Sequence, residues 1–124
     1  FLKLLLELDS LKKTIYYSVF ENSKAYLPLV SLTIAKTILA QKEENYQARI
    51  IIDGLNESGS VKIKKELKKL NIRYKNVRGM KDEQSVFLRL ADTFAGFLRD
   101  CIENKEYTKQ LNKKFIKAQI IEEI

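Results

Sequence analysis

The chain has 124 residues, of which 45% are hydrophobic and 31% charged, and its formal net charge is +7 at pH 7. This size and composition fit one globular domain. A single cysteine and no histidine exclude an intramolecular disulfide, catalysis by Ser-His-Asp or Cys-His groups, and zinc sites that need imidazole or several thiolates. Polar chemistry must therefore use carboxylates, lysines, hydroxyls or a hard metal bound by oxygen.

The first apolar run predicts neither a secretory signal nor a membrane span. Lys3 and Glu7 interrupt it, and no other uncharged apolar stretch approaches the roughly 18 residues that a span needs. We therefore expect a cytoplasmic protein that does not enter a membrane. Because the chain begins at Phe1, inside a predicted helix, we expect residues 1–124 to be one α/β domain forming the C-terminal part of a longer protein.

The first half of the chain predicts helix, strand, helix and strand in that order. Residues 1–11 have leucines at helical spacing, and the β-branched and aromatic segment Thr14–Phe20 predicts a strand that ends at a polar break, Glu21-Asn22-Ser23. Apolar residues at steps of three and four predict a helix over Tyr26–Lys42. The isoleucine run in Ala48–Asp53 predicts a central strand covered on both faces.

The second half continues the alternation. We expect a helix from a Ser60 cap to about Leu70, a strand over Ile72–Val77, and a long helix over Glu83–Asn104. The last of these has an apolar stripe formed by Phe87, Leu90, Ala91, Phe94, Leu98, Cys101 and Ile102. Tyr107–Ile121 predicts a final, more polar helix. The order of elements is typical of an α/β layered fold, with a central sheet and packed helices.

A basic segment follows the isoleucine strand. Its candidate nucleic-acid-binding residues are Lys62, Lys64, Lys65, Lys68, Lys69, Arg73 and Arg78. Such a cluster favours binding of a polyanion. The alternative is a solvated helix face that is kept basic for solubility.

Two aspartates are the candidate catalytic and metal-binding residues. Asp53 ends the isoleucine strand, where ligands of open α/β sheets bind, although an Asp-Gly pair also simply favours a turn. Asp92 lies at the edge of the apolar stripe of the long helix, where we expect it to be partly covered. Its alternative role is structural, with Arg99 or Ser85 as a partner.

The segment Ser85–Gly96, SVFLRLADTFAG, resembles the closing motif of a widespread bacterial family of unknown function, the one numbered 3800. That motif is a Leu-Gln-Leu-Ala-Asp helix followed by a small Ala-Gly pair. Family members also have a hydrophobic strand ending in Asp, matched here by Ile50–Asp53, and a strand followed by a Tyr-led helix. The resemblance extends over most of residues 10–104 and does not cover residues 105–124, where we expect an extra helix.

This family is similar to the ribonuclease H-like superfamily, in which acids from strands and a late helix hold two Mg²⁺ or Mn²⁺ ions. The resemblance implies a ribonuclease H-like fold and a divalent-metal-dependent nuclease with Asp53 and Asp92 as metal ligands. Arg89 departs from the family's Gln, and Gly54 from its frequent Arg. The family's first acid lies in an N-terminal Asp-Glu-Ser-Gly strand, which we expect before Phe1. Because that acid would complete the metal site, we expect residues 1–124 alone to be inactive as a nuclease. A non-catalytic nucleic-acid-binding or protein-interaction module with a basic helix is the alternative.

Overall fold

The computed structural model describes residues 2–21 and 25–124, with the side chains of all of these except Asp9 and Asp82. The polar break expected at Glu21-Asn22-Ser23 thus lies mostly outside the described residues. The α-helices and strands in chain order are α1 (Leu2–Leu5), β1 (Ile15–Tyr17), α2 (Tyr26–Ala40), β2 (Arg49–Asp53), α3 (Glu57–Lys69), β3 (Asn76–Met80), α4 (Val86–Ile102), α5 (Thr108–Lys117) and β4 (Ile121–Glu123). Two short 3-10 helices lie at Asp9–Leu11 and Asp82–Gln84.

The architecture is mixed α/β, as the sequence predicts, but within residues 2–21 and 25–124 the strands form two separate parallel pairs rather than one central sheet. The chain divides into two compact units. The terminal unit comprises Phe1–Ser18 and Arg89–Ile124, and the central unit comprises Val19–Leu88. No helix in the described ranges is long and apolar enough to cross a membrane.

The central unit is built around the parallel pair β2 and β3, in which Ile50 lies opposite Val77 and Asp53 opposite Met80. Helix α3 connects the two strands. Its Ile63 and Leu67 are completely buried and belong to one core cluster with Ile50 and Val77. Because these two residues are four positions apart, they lie on one side of the helix, and the remaining positions are left for charged residues.

The terminal unit has an aromatic core. Phe94 and Phe97 of α4 each meet Phe115 of α5 edge-to-face, with ring centroids 5.3 Å apart in both pairs. Strand β1 pairs with β4 in parallel, with Ile15 opposite Ile121. A cluster of buried apolar side chains thus links both ends of the described sequence.

Helix α2 and strand β2 lie where the sequence predicts them, whereas α1 and β1 are shorter than the helix expected over residues 1–11 and the strand expected over Thr14–Phe20. Three further expectations need correction. Helix α3 begins earlier than expected because Asn56, not Ser60, is its cap. The third strand is Asn76–Met80 rather than Ile72–Val77. Residues 121–123 form a strand that pairs with β1, so the last helix ends at Lys117.

Strand β3 begins later than expected and strand β4 was not expected, for the same reason. In both places the preceding helix ends with a residue in the left-handed conformation. Asn71 has φ 59° after α3, and the Ile72 N–H donates to the Leu67 carbonyl at 2.9 Å. Gln119 repeats this after α5, with φ 59° and a 3.0 Å bond from the Ile120 N–H to the Phe115 carbonyl. In this motif an apolar residue after the turn folds back onto the helix. Ile72 therefore belongs to the helix stop and the core, not to a strand.

The apolar stripe predicted for the long helix is only partly buried. Phe94 is 2% exposed, but Phe87 is 78% exposed and Ile102 is also exposed. Leu88, which the predicted stripe omits, is buried instead. The buried row of α4 is thus narrower than the row of apolar residues in its sequence.

Candidate nucleic-acid interface

The start of α3 is tied to both strands of the central unit. Gly54 turns the chain after β2 with φ +69°, a conformation that favours glycine. The side-chain oxygen of Asn56 then accepts a 2.7 Å hydrogen bond from the Gly59 N–H. Inside the helix, the Ser60 hydroxyl donates to the Val77 carbonyl of β3 at 2.8 Å. These contacts determine which side of α3 faces solvent.

The lysines of α3 lie on that solvent side. We call Lys62, Lys64, Lys65, Lys68 and Lys69 the α3 basic surface. Four of them are exposed and Lys64 is half-buried. Within the described part of the chain only Lys69 of this set is ion-paired, with Glu66 at 3.4 Å. The prediction of an exposed basic helix face over Lys62–Lys69 is confirmed for these lysines except Lys64, which is half-buried.

Arg78 lies beside the α3 basic surface. It lines a groove of about 410 Å³ between α3 and β3, together with Lys64, Ser60 and Glu57. Arg78 is exposed on β3. The two cations give the groove a positive wall, while Glu57 places one acid near the start of the helix.

Arg73 is exposed, but it is used within the fold. Its guanidinium lies over the Tyr46 ring, 4.7 Å from the centroid, and Nη2 donates to the Glu44 carbonyl at 2.5 Å. Its backbone N–H donates to the Tyr46 hydroxyl at 3.2 Å. Arg73 thus holds the loop between α2 and β2, which the sequence pattern did not indicate.

Asp53 is exposed at the carboxyl end of β2, as predicted. It lines a second groove, of about 320 Å³, with Tyr26 of α2 and with Ser58 and Lys62 of α3. We call this the Tyr26 groove. From the sequence, Tyr26 is expected only to begin a helix. Because the apolar face of this helix starts only at Leu27, the sequence does indicate that Tyr26 does not belong to that face.

Asp92 lies on α4 in the terminal unit and is exposed, so the expected partial cover is wrong. Of its suggested partners, Ser85 accepts a bond of 3.4 Å from the Leu88 N–H and so caps α4. Neither Ser85 nor Arg99 bonds to Asp92 in the described residues. Asp53 and Asp92 belong to different compact units. Ligands of one metal site would have carboxylates about 4–8 Å apart, and this arrangement of the two aspartates stays a prediction.

The described side chains include no cluster of three or more Asp, Glu, Cys or His that could hold a metal ion. Asp53 could still supply one oxygen ligand, because Mg²⁺ in phosphate chemistry is often held by one or two carboxylates together with water and substrate phosphates.

A polar cluster in the terminal unit was not predicted. The Tyr107 hydroxyl donates a short hydrogen bond to the Asp100 carboxylate, and Lys105 pairs with the same carboxylate at 3.0 Å. The hydrogen bond from Tyr107 and then that from Lys105 lower the pKa of Asp100 below its ordinary value. The same contacts raise the pKa of Lys105 and of Tyr107. The cluster joins the end of α4 to the residues before α5, so its geometry indicates that it stabilises the turn between these helices.

Comparisons with protein-family models, with curated proteins and with solved structures find no match to this chain.

Proposed function

We propose that this chain binds nucleic acid through the α3 basic surface, with Arg78 as a flanking contact. The observation that supports the proposal is the placement of five lysines on one 13-residue helix, four of them exposed. When exposed lysines neutralise phosphates, they release the counterions that are condensed on the nucleic acid. This release supplies most of the affinity of non-specific binding.

The groove between α3 and β3 supports the same proposal. Lys64 and Arg78 line it from two different elements, so a backbone that follows α3 can be contacted from the helix and from the strand. Contacts of this kind position a nucleic acid and do not read its sequence. We therefore expect binding that depends strongly on salt and weakly on base sequence.

The test is a charge reversal at Lys62, Lys65 and Lys68, which are all exposed and neighbouring on the helix. Three Lys→Glu changes of two units each lower the net charge from +7 to +1. The matched control reverses Lys113, Lys114 and Lys117, which are exposed on α5 and give the same net charge.

In fluorescence anisotropy with labelled DNA and RNA, we expect the α3 variant to lose binding and the α5 variant to retain most of it. If the α3 variant retains residual binding, the slope of log affinity against log salt should fall by roughly 2 for single strands, about 0.7 for each lost phosphate contact. Equal losses in both variants would mean that net charge alone is responsible. Binding of polyglutamate as tight as that of DNA would favour a protein-interaction module.

A second candidate is a divalent-metal-dependent nuclease of the ribonuclease H-like class. The observation that favours it is the exposed carboxylate of Asp53 at the carboxyl end of a parallel strand, in a groove that also contains Lys62 of the α3 basic surface. A bound phosphate chain would thus lie near an acid able to share a Mg²⁺ or Mn²⁺ ion with it. Cleavage of labelled DNA and RNA with either metal, by a protein that carries the expected Asp-Glu-Ser-Gly strand together with this chain, and its loss on adding EDTA, tests this candidate.

A further inference from the structure

Tyr26 lines the Tyr26 groove and has an exposed aromatic ring. Its side chain is 60% exposed, while the next residue, Leu27, packs against the core of the central unit. Tyr26 therefore contributes little to the apolar core, although its ring is large. A single exposed aromatic residue is normal on a protein surface. What distinguishes Tyr26 is that it shares a groove with a lysine and an acid.

The size and chemistry of the groove fit a small planar group attached to a phosphate. A volume of about 320 Å³ lies at the lower end of the range for ligand pockets. Lys62 and the Ser58 hydroxyl offer hydrogen-bond donors to phosphate oxygens, and the Tyr26 ring offers a flat apolar face. A nucleobase presents such a face only when it is not held in a duplex stack.

The α3 basic surface leads to this groove. Lys62 belongs to both, and Lys65 and Lys69 follow it at steps of three and four residues along the helix. These three lysines therefore form one line on α3. A phosphate chain that follows the line from Lys69 arrives at Lys62, beside the Tyr26 ring and the Asp53 carboxylate.

We propose that the chain prefers single-stranded nucleic acid, and that Tyr26 stacks on an unpaired base whose phosphate is held by Lys62. This inference rests on the proposed binding of nucleic acid by the α3 basic surface, and it specifies the substrate class. A duplex presents its phosphates to the lysines but keeps its bases away from Tyr26.

The experiment compares Tyr26→Ala, Tyr26→Phe and Phe87→Ala by anisotropy with a labelled single strand, its duplex, and an abasic strand of equal length. Phe87 is the control because it is also an exposed aromatic of the central unit and does not line the groove. Stacking of one base accounts for about 5- to 150-fold in affinity. Tyr26→Ala should lose a factor in this range on the single strand and almost nothing on the duplex or abasic strand.

Tyr26→Phe keeps the ring and should bind as the wild type does, as should Phe87→Ala. The salt slope should not change in Tyr26→Ala, because stacking releases no counterions. The inference would be overturned if Tyr26→Ala lost equal affinity for the normal and the abasic strand, or lost none for either. In that case the proposed function would still stand, provided that the α3 charge reversal weakened binding. If the wild type bound no nucleic acid, the proposed function and the inference would both fail.

Discussion

The backbone of Gly79 on β3 passes so close to that of Leu55 that a Cβ atom on residue 79 would lie 1.9 Å from the Leu55 carbonyl oxygen. Leu55 belongs to the turn that joins Asp53 to α3, so this contact holds the turn against the strand. A side chain at position 79 must displace backbone, because no flexible group can move aside. The position of both grooves beside α3 depends on this approach.

We therefore expect Gly79→Ala to lower the free energy of unfolding by about 1–3 kcal/mol, the usual cost of overpacking. Urea denaturation measures it. The control is Gly96→Ala in α4, where the nearest atom to an added Cβ is 4.0 Å away. That change should instead stabilise the protein by about 0.5–1 kcal/mol, because alanine is a better helix residue than glycine. Equal stability of the two variants would contradict the close contact.

The Asn56 side chain is the cap of α3, and its removal should be measurable. Asn56→Ala leaves the Gly59 N–H without its 2.7 Å partner, so the free energy of unfolding should fall by about 0.5–2 kcal/mol. Asn56→Asp keeps an oxygen acceptor in the same place and should restore most of the loss. If Asn56→Asp is as unstable as Asn56→Ala, the side chain does not cap the helix.

The sequence predicts α2 and β2 of the central unit well because their signals are local. The isoleucine run of β2 and the apolar spacing of α2 depend on neighbouring residues alone. The cap of α3 was misplaced because both Asn56 and Ser60 are residue types that favour caps, and the choice depends on Ser60 reaching the Val77 carbonyl, 17 positions away. Strand β4 follows the left-handed helix stop at Gln119 and pairs with β1, at the other end of the described chain, so no local pattern indicates it.

The Asp100–Tyr107 hydrogen bond should make stability depend on pH on the acid side. Because the pKa of folded Asp100 lies below its ordinary value of 3.8, the bond stabilises the fold above that pH, and this contribution is lost as pH falls through the lowered pKa. Tyr107→Phe removes the largest cause of the shift, so the pKa of Asp100 should rise toward 3.8. Carboxyl NMR titration measures this pKa. Tyr16→Phe removes a hydroxyl that bonds to Lys13 and should leave the pKa of Asp100 unchanged.

Substitution of Arg73 can separate its predicted role in nucleic-acid binding from its observed role in the fold. Arg73→Lys keeps the positive charge but loses the planar group over the Tyr46 ring. We expect the free energy of unfolding to fall by about 0.5–1 kcal/mol, the size of an exposed cation–π contact. The salt dependence of nucleic-acid binding should stay as in the wild type. Arg73→Gln removes the charge as well, and it should also leave the salt slope unchanged. A lower salt slope in Arg73→Gln would instead assign Arg73 to phosphate binding.

The candidate site could be predicted only in part, for physical reasons. The density of lysines indicated a basic helix face, and the buried row of Ile63 and Leu67 leaves these lysines on the outside of α3. Helical periodicity was wrong for Asp92, since the apolar stripe of α4 is wider than its buried row. The Tyr26 groove requires α2, β2 and α3 to meet at one edge, and no local pattern contains that information.

The two aspartates provide the last prediction, which tests the nuclease candidate. Asp53→Asn and Asp92→Asn keep the size of the side chain but remove the charge that a Mg²⁺ or Mn²⁺ ligand requires. Because both residues are exposed, neither change should alter the free energy of unfolding by more than about 0.5 kcal/mol. If both residues are metal ligands, each variant should lose metal-dependent cleavage of DNA or RNA while it still binds the strand in EDTA. Glu122→Gln, an exposed acid on β4, is the control and should cleave normally. Full activity of Asp92→Asn would assign that residue to the surface, and full activity of both variants would exclude a metal site built on them.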